Sequence, residues 1–142
     1  MSITQQELTS SLQSVLSDKV DSLNEQYGEI TIIVRAEHIL SVSEVLRDHP
    51  KLSFDMLIDL CGVDYLTFGG DAESCKDGYV NKRFAVVYHL LSVKHNCRLR
   101  VKAFADNDEF PVIDSVIDIW PSVNWFEREA FDRFGIVFSG HP

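Results

Sequence analysis

The 142-residue chain has no stretch approaching the roughly 18 consecutive apolar residues that a bilayer-spanning helix requires. Its opening, MSITQQELTSSLQ, carries neither a basic segment nor an apolar one, so no signal peptide is expected. The chain is therefore expected to begin in the cytosol as a soluble protein, with any membrane association made through a partner. Cysteine is scarce. Cys61, Cys75 and Cys97 form no CxxC, which leaves no quartet for an iron-sulfur cluster and suggests reduced thiols, two of them in core segments. No GxGxxG follows a strand and no GxxxxGK[ST] occurs, so neither a dinucleotide nor a nucleoside triphosphate has a cradle. GxSxG is missing too, and no cysteine sits beside a base that would activate it. Positive charge is also short: 13 Lys and Arg against 22 Asp and Glu leave a net charge of -9, which repels nucleic acid and anionic lipid.

What is present is an ordinary globular composition, 45% hydrophobic and 25% charged, with no repeat, linker or low-complexity run. One domain over residues 1–142 is expected. Thr4 and Glu7 form a capping box, with Ile3 and Leu8 as its staple. The stripe Leu8, Leu12, Val15, Leu16, Leu23 predicts a helix reaching Gly28. Glu29 to Arg35 reads as a strand with Ile30, Ile32 and Val34 on one face. Ile39, Val42 and Leu46 mark a second helix, closed by Pro50. Ser53 is placed to cap a short helix from Phe54 to Leu60, and Val63 to Phe68 reads as a strand.

Gly69 to Lys82 is polar and glycine-rich, a loop by composition. Arg83 to Val93 is apolar on both faces, as a central strand is. After a turn at Lys94 to Asn96, Leu99, Val101 and Ala103 alternate with Arg98, Arg100 and Lys102, predicting a hairpin strand with one solvated, basic face. An acidic loop, Asp106 to Glu109, precedes a predicted short helix from Pro111 to Trp120. Ser122 then opens a last helix, which Gly135 ends before an extended Ile136 to Phe138. These elements predict an α+β fold, with helices packed on a mostly antiparallel mixed sheet.

The densest charged cluster is Glu127, Arg128, Glu129 and Asp132. Glu127 and Glu129 stand about 200° apart on a helix and cannot share a substrate. Glu129 and Asp132 share a face, but nothing in the sequence supplies the apolar pocket that would separate their pKa values. Glu129 with Arg133 and Arg128 with Asp132 have ion-pair spacing, so a solvated or partner-binding helix face is the reading preferred over a small enzyme built on Glu129 and Asp132. A metal site drawing on His89, His95 and Cys97 matches no zinc spacing. The basic strand face lacks the interleaved aromatics of a nucleic-acid platform.

The segment WFEREAFDRFGIVFSGHP, Trp125 to Pro142, resembles the signature of a respiratory complex I family, that of the thirty-kilodalton subunit. Leu60 to Leu66 (LCGVDYL), Val86 to Val93 (VVYHLLSV) and Ile119 to Trp125 (IWPSVNW) are similar to its other recurrent segments. The resemblance covers the chain from about Leu52 onward. It implies a cofactor-free structural subunit of the peripheral, quinone-reducing arm of a proton-pumping NADH:quinone oxidoreductase. The partners it implies are a subunit of the forty-nine-kilodalton type, homologous to hydrogenase large subunits, and cluster-bearing subunits. The location it implies is the cytoplasmic face of the bacterial inner membrane. A related membrane-bound hydrogenase or dehydrogenase is the alternative setting for the same scaffold. Arg133 departs from the family, which usually has Met or Leu there. The chain also stops at Gly-His-Pro, where the family continues into a basic, extended segment that helps dock the subunit.

Trp125, Phe126, Phe131 and Phe134 span most of a helix circumference, so they cannot all be buried on one stripe. A partner interface is therefore expected at Trp125, Glu127, Arg128, Glu129 and Asp132, continuing through Gly135 to His141.

Overall fold

A computed structural model of the protein describes residues 4–16, 19–26, 28–64, 84–105 and 111–141. Its first helix, α1 (Gln5–Leu16), opens as the sequence predicts: the Glu7 N–H donates to the Thr4 hydroxyl oxygen at 3.1 Å. Ile3, the expected staple residue, lies outside the described residues. Leu8, Leu12 and Leu16 are buried at helical spacing. The helix does not continue to Gly28. Val20–Gln26 is strand β1, paired antiparallel with β2 (Glu29–Arg35), and Gly28 turns between them at φ +79°. Leu23 is in phase with the helical stripe of the sequence. In the strand it packs on the same core from a β ladder.

Strand β2 carries Ile30, Ile32 and Val34 toward the helices, and buries Thr31 and Ile33 on its other face as well. It is buried on both faces because it runs inside the sheet, between β1 and β5 (Cys97–Phe104). A turn of 3-10 helix leads into α2 (Ile39–Asp48), whose Ile39, Val42 and Leu46 are buried as expected.

The predicted helix from Phe54 to Leu60 is absent; β3 (Met56–Asp64) occupies that stretch. Ser53 is not a cap but sits at φ +49°. The register of β3 against β4 (Phe84–Ser92) shifts between Leu57 and Asp59, a bulge at Ile58. The bulge lets Leu57 and Leu60, three residues apart, face the same core, and this produced the helix-like spacing. The expected strand from Val63 reaches only Asp64 among the described residues. Residues 65–68, the Gly69 to Lys82 loop and the acidic loop Asp106 to Glu109 lie outside them.

Strands β4 and β5 form the predicted hairpin, turning with Asn96 at φ +51°. Leu99, Val101 and Ala103 are buried. The opposite face is less solvated than expected. Arg98 is exposed, Arg100 is half-buried against Glu29 at 2.7 Å, and Lys102 is only 8% exposed. The reason is position: β5 is the middle strand, and Lys102 lies in register between Val87 and Ile33.

The five-stranded sheet has the order β1-β2-β5-β4-β3, with only the β2–β5 pair parallel. The α+β architecture with a mostly antiparallel sheet is therefore the one expected. The predicted helix from Pro111 to Trp120 is instead β6 (Val112–Asp114) followed by turns. Strand β6 pairs in parallel with β7 (Val137–Ser139). The closing helix α3 (Val123–Phe134) lies between them and ends at Gly135, φ +72°, as predicted. Buried side chains of all three described helices belong to one core with Ile32, Val101 and Tyr88.

Candidate partner interface

Residues along α3 advance by about 100° each, so Val123, Ala130 and Phe134 fall on one side and Trp125, Arg128 and Asp132 on the other. Val123 and Ala130 are buried, and Phe126 and Phe134 pack against the core. Gly62 makes that approach close: a Cβ there would lie 2.7 Å from Phe134 Cδ2 and 3.1 Å from Ile136 Cδ1. At the other end of α3, the Ser122 hydroxyl donates to the Leu57 carbonyl at 3.4 Å rather than capping the helix. The helix therefore runs alongside β3 from Leu57 to Gly62.

Glu127 falls on the inward side and is fully buried, which removes it from the expected exposed interface. Its Oε1 accepts from the Ser115 hydroxyl at 2.6 Å and its Oε2 from the Val116 N–H at 3.0 Å. Burial raises the Glu127 pKa; these two hydrogen bonds and nearby His141 pull it back. Among the described residues the buried Tyr88 hydroxyl has no hydrogen-bond partner, and burial and the charges of Glu127 and Asp114 push its pKa up. Glu127 thus ties α3 to the turn after β6 through an interior polar cluster. One sequence signal could have revealed this: Glu127 shares the stripe of Val123, Ala130 and Phe134.

His141 also turns inward. Its Nε2 stands 3.2 Å from the Asn124 carbonyl and 4.0 Å from Glu127 Oε1. Gly135 is exposed at the helix end, where its N–H donates to the Phe131 carbonyl at 2.8 Å. That leaves Trp125, Arg128, Glu129 and Asp132 facing solvent, joined by Phe131. Trp125 is 66% and Phe131 51% exposed, large values for aromatic side chains.

Glu129 approaches Arg133 at 4.0 Å, the expected i,i+4 pair. Arg133 is exposed and lies 6.0 Å from the Phe134 ring centroid, so a charged residue is accommodated where Met or Leu is usual. The expected Arg128–Asp132 pair does not form: among the described residues Arg128 has no ion-pair partner. Glu129 and Asp132 are both exposed on the helix surface, an arrangement that does not favour an acid/base dyad.

Among the described residues no three His, Cys, Asp or Glu side chains are gathered as a metal site, so His89, His95 and Cys97 do not converge. The His95 Nε2–H donates to the Pro50 carbonyl at 2.9 Å, tying the β4–β5 turn to the end of α2. Burial first, and then the Arg100 charge, lower the His89 pKa, against opposing pulls from Asp59 and Glu29. Of the cysteines placed in core segments, Cys97 is half-buried, with its pKa pushed up to about 11 by burial, while Cys61 is exposed on β3. Cys75 lies outside the described residues.

A model of the family described as respiratory-chain NADH dehydrogenase, 30 Kd subunit, matches residues 32–142. The chain belongs to this family. Among its relatives are proteins named as the C subunit of NADH-quinone oxidoreductase. The one from Cupriavidus pinatubonensis is 57% identical over 135 residues, covering 95% of this chain and 65% of the relative. The one from Burkholderia cenocepacia is 54% identical over the same length, covering 95% and 64%. The chain thus spans just under two thirds of the length of these relatives.

The solved trypsin-resistant fragment of Nqo5 superposes with a TM-score of 0.75 at 30% identity, covering 96% of this chain and 98% of the fragment. The fold matches over nearly the whole of both. A chain of an archaeal membrane-bound sulfane sulfur reductase reaches a TM-score of 0.73 at 19% identity, a likeness of fold alone.

Proposed function

We propose that this member of the family is a structural subunit of an NADH-quinone oxidoreductase, seated in its peripheral, quinone-reducing arm. The 57% identity to the Cupriavidus pinatubonensis relative, over nearly the whole chain, carries this reading. The exposed aromatic and charged face of α3 supports it, since a scaffold subunit needs an outward surface that its own core does not consume. In this role the chain binds no flavin, metal or cluster. It holds neighbouring subunits in place while electrons pass from NADH through their iron-sulfur clusters to quinone.

Its expected neighbours are the subunit of the forty-nine-kilodalton type and the cluster-bearing subunits around the quinone site. Among the described residues no helix is long and apolar enough to cross a membrane. Association with the cytoplasmic face of the bacterial inner membrane would then come from those neighbours. The likeness to the sulfane sulfur reductase does not favour the alternative setting, because it extends to fold only.

The test is genetic and biochemical. Deleting the gene should abolish NADH-driven quinone reduction in membranes, and the tagged natural protein should restore it and co-purify with cluster-bearing chains. The protein purified alone should show no flavin or cluster absorption and no NADH oxidation. Restored activity without co-purification, or turnover by the protein alone, would overturn the proposal.

A further inference from the structure

Trp125 and Phe131 flank Arg128 on the outward side of α3, and all three are exposed. Among the described residues Arg128 forms no ion pair, although the chain carries 22 acidic residues against 13 basic ones. Its neighbour Arg133, by contrast, is engaged by Glu129 and the Phe134 ring. We propose that Arg128 is the anchor of a protein–protein contact in which the partner inserts an Asp or Glu side chain between Trp125 and Phe131. This rests on the subunit reading above and names the partner's chemistry at that surface.

Charge complementarity selects the occupant. A guanidinium with an exposed aromatic residue about one helical turn to either side fits a partner carboxylate, because docking would cover the aromatic surface and exclude water while the planar fork takes both oxygens. A nucleic acid or an anionic lipid would offer phosphate to the same fork, but it would have to approach a chain of net charge -9. The helix alone is also too small for a stable contact, which takes roughly 800 Å² from each partner. The remaining area must come from what adjoins the helix, such as the edge strand β3, which the Ser122 to Leu57 hydrogen bond holds against α3.

The test uses the natural full-length protein in cells, with assembly read as the tagged chain found in the intact oxidoreductase on native gels. Arg128→Glu and Trp125→Ala should each lower incorporation by roughly tenfold or more, as loss of interface anchors does. Arg133→Glu, on the same helix, should assemble normally, and melting of the purified variants should match the parent. Arg128→Lys, treated with a carbodiimide in the assembled state, should form an amide between the substituted amine and a carboxylate of another subunit.

Normal assembly of Arg128→Glu and Trp125→Ala would overturn this proposal and leave the subunit reading intact. A cross-link to a second copy of this chain would overturn it in favour of self-association. Failure of the unmodified protein to enter any oxidoreductase would instead overturn the subunit reading itself.

Discussion

Gly62 on β3 and Phe134 in the last turn of α3 approach so closely that a Cβ on Gly62 would lie 2.7 Å from Phe134 Cδ2. The helix settles against the strand only because one residue of the strand has no side chain. Gly62→Ala should therefore overpack this contact and cost about 1–3 kcal/mol in urea unfolding. Adding Phe134→Leu should recover part of that loss, since the shorter side chain vacates the space. A double-mutant cycle with no coupling would show that the strand, and not the helix, resists the methyl group.

Glu127 gives a pH dependence whose sign is fixed by its surroundings. Burial raises its pKa above the ordinary carboxylate value, 4.5. Because the folded value is the higher one, its contribution to stability is fully present below the unfolded value and is lost as pH rises through the folded value. The stability of the parent minus that of Glu127→Gln should accordingly fall as pH rises from 4.5. A flat difference between the two would show that the hydrogen bonds from Ser115 and Val116 cancel the cost of burial. Glu127→Ala should be the more damaging change, by about 1–3 kcal/mol, because it leaves both buried donors without an acceptor.

The two tryptophans should report opposite environments. Trp120 is 3% exposed and its Nε1–H donates to the Phe54 carbonyl at 3.0 Å, whereas Trp125 is 66% exposed. Trp125→Phe should leave blue-shifted emission resistant to acrylamide, and Trp120→Phe should leave red-shifted emission that is readily quenched. Trp120→Phe should also cost about 1–3 kcal/mol, since the Phe54 carbonyl loses its donor. On assembly, the emission of Trp125 should become protected from quencher if the outward face of α3 is a contact surface.

Across β5, Leu99 and Arg100 test the division between the two sheet faces. Leu99 is buried under the helices, so Leu99→Ala should cost about 2–5 kcal/mol. Arg100 pairs with an exposed Glu29, so Arg100→Ala should cost no more than about 1 kcal/mol. Equal losses from the two substitutions, measured by denaturant unfolding, would contradict the register of the strand.

Local signals determined much of this protein. Thr4 with Glu7 opened α1, the stripe of Ile39, Val42 and Leu46 made α2, alternation marked β5, and Gly135 ended α3. Each depends on neighbours within a turn or a strand, and the chain carries that information at short range. The terminal WFEREAFDRFG segment likewise identified the family, since its order of residues needs no fold to be read.

Tertiary structure decided the rest. Leu23 and the pair Leu57 and Leu60 have spacings compatible with a helix, and only pairing with β2 and β4 made strands of both segments. The bulge that reconciles Leu57 with Leu60 is a property of two strands together and leaves no mark in one. Lys102 is buried because β5 became the middle strand, a consequence of the parallel β2–β5 pairing across a long sequence separation. Glu127 belongs among charged neighbours in the sequence, yet the core required a carboxylate there. Ser115 and Val116 arrive beside it from another element, and a buried donor must find an acceptor wherever the fold places one.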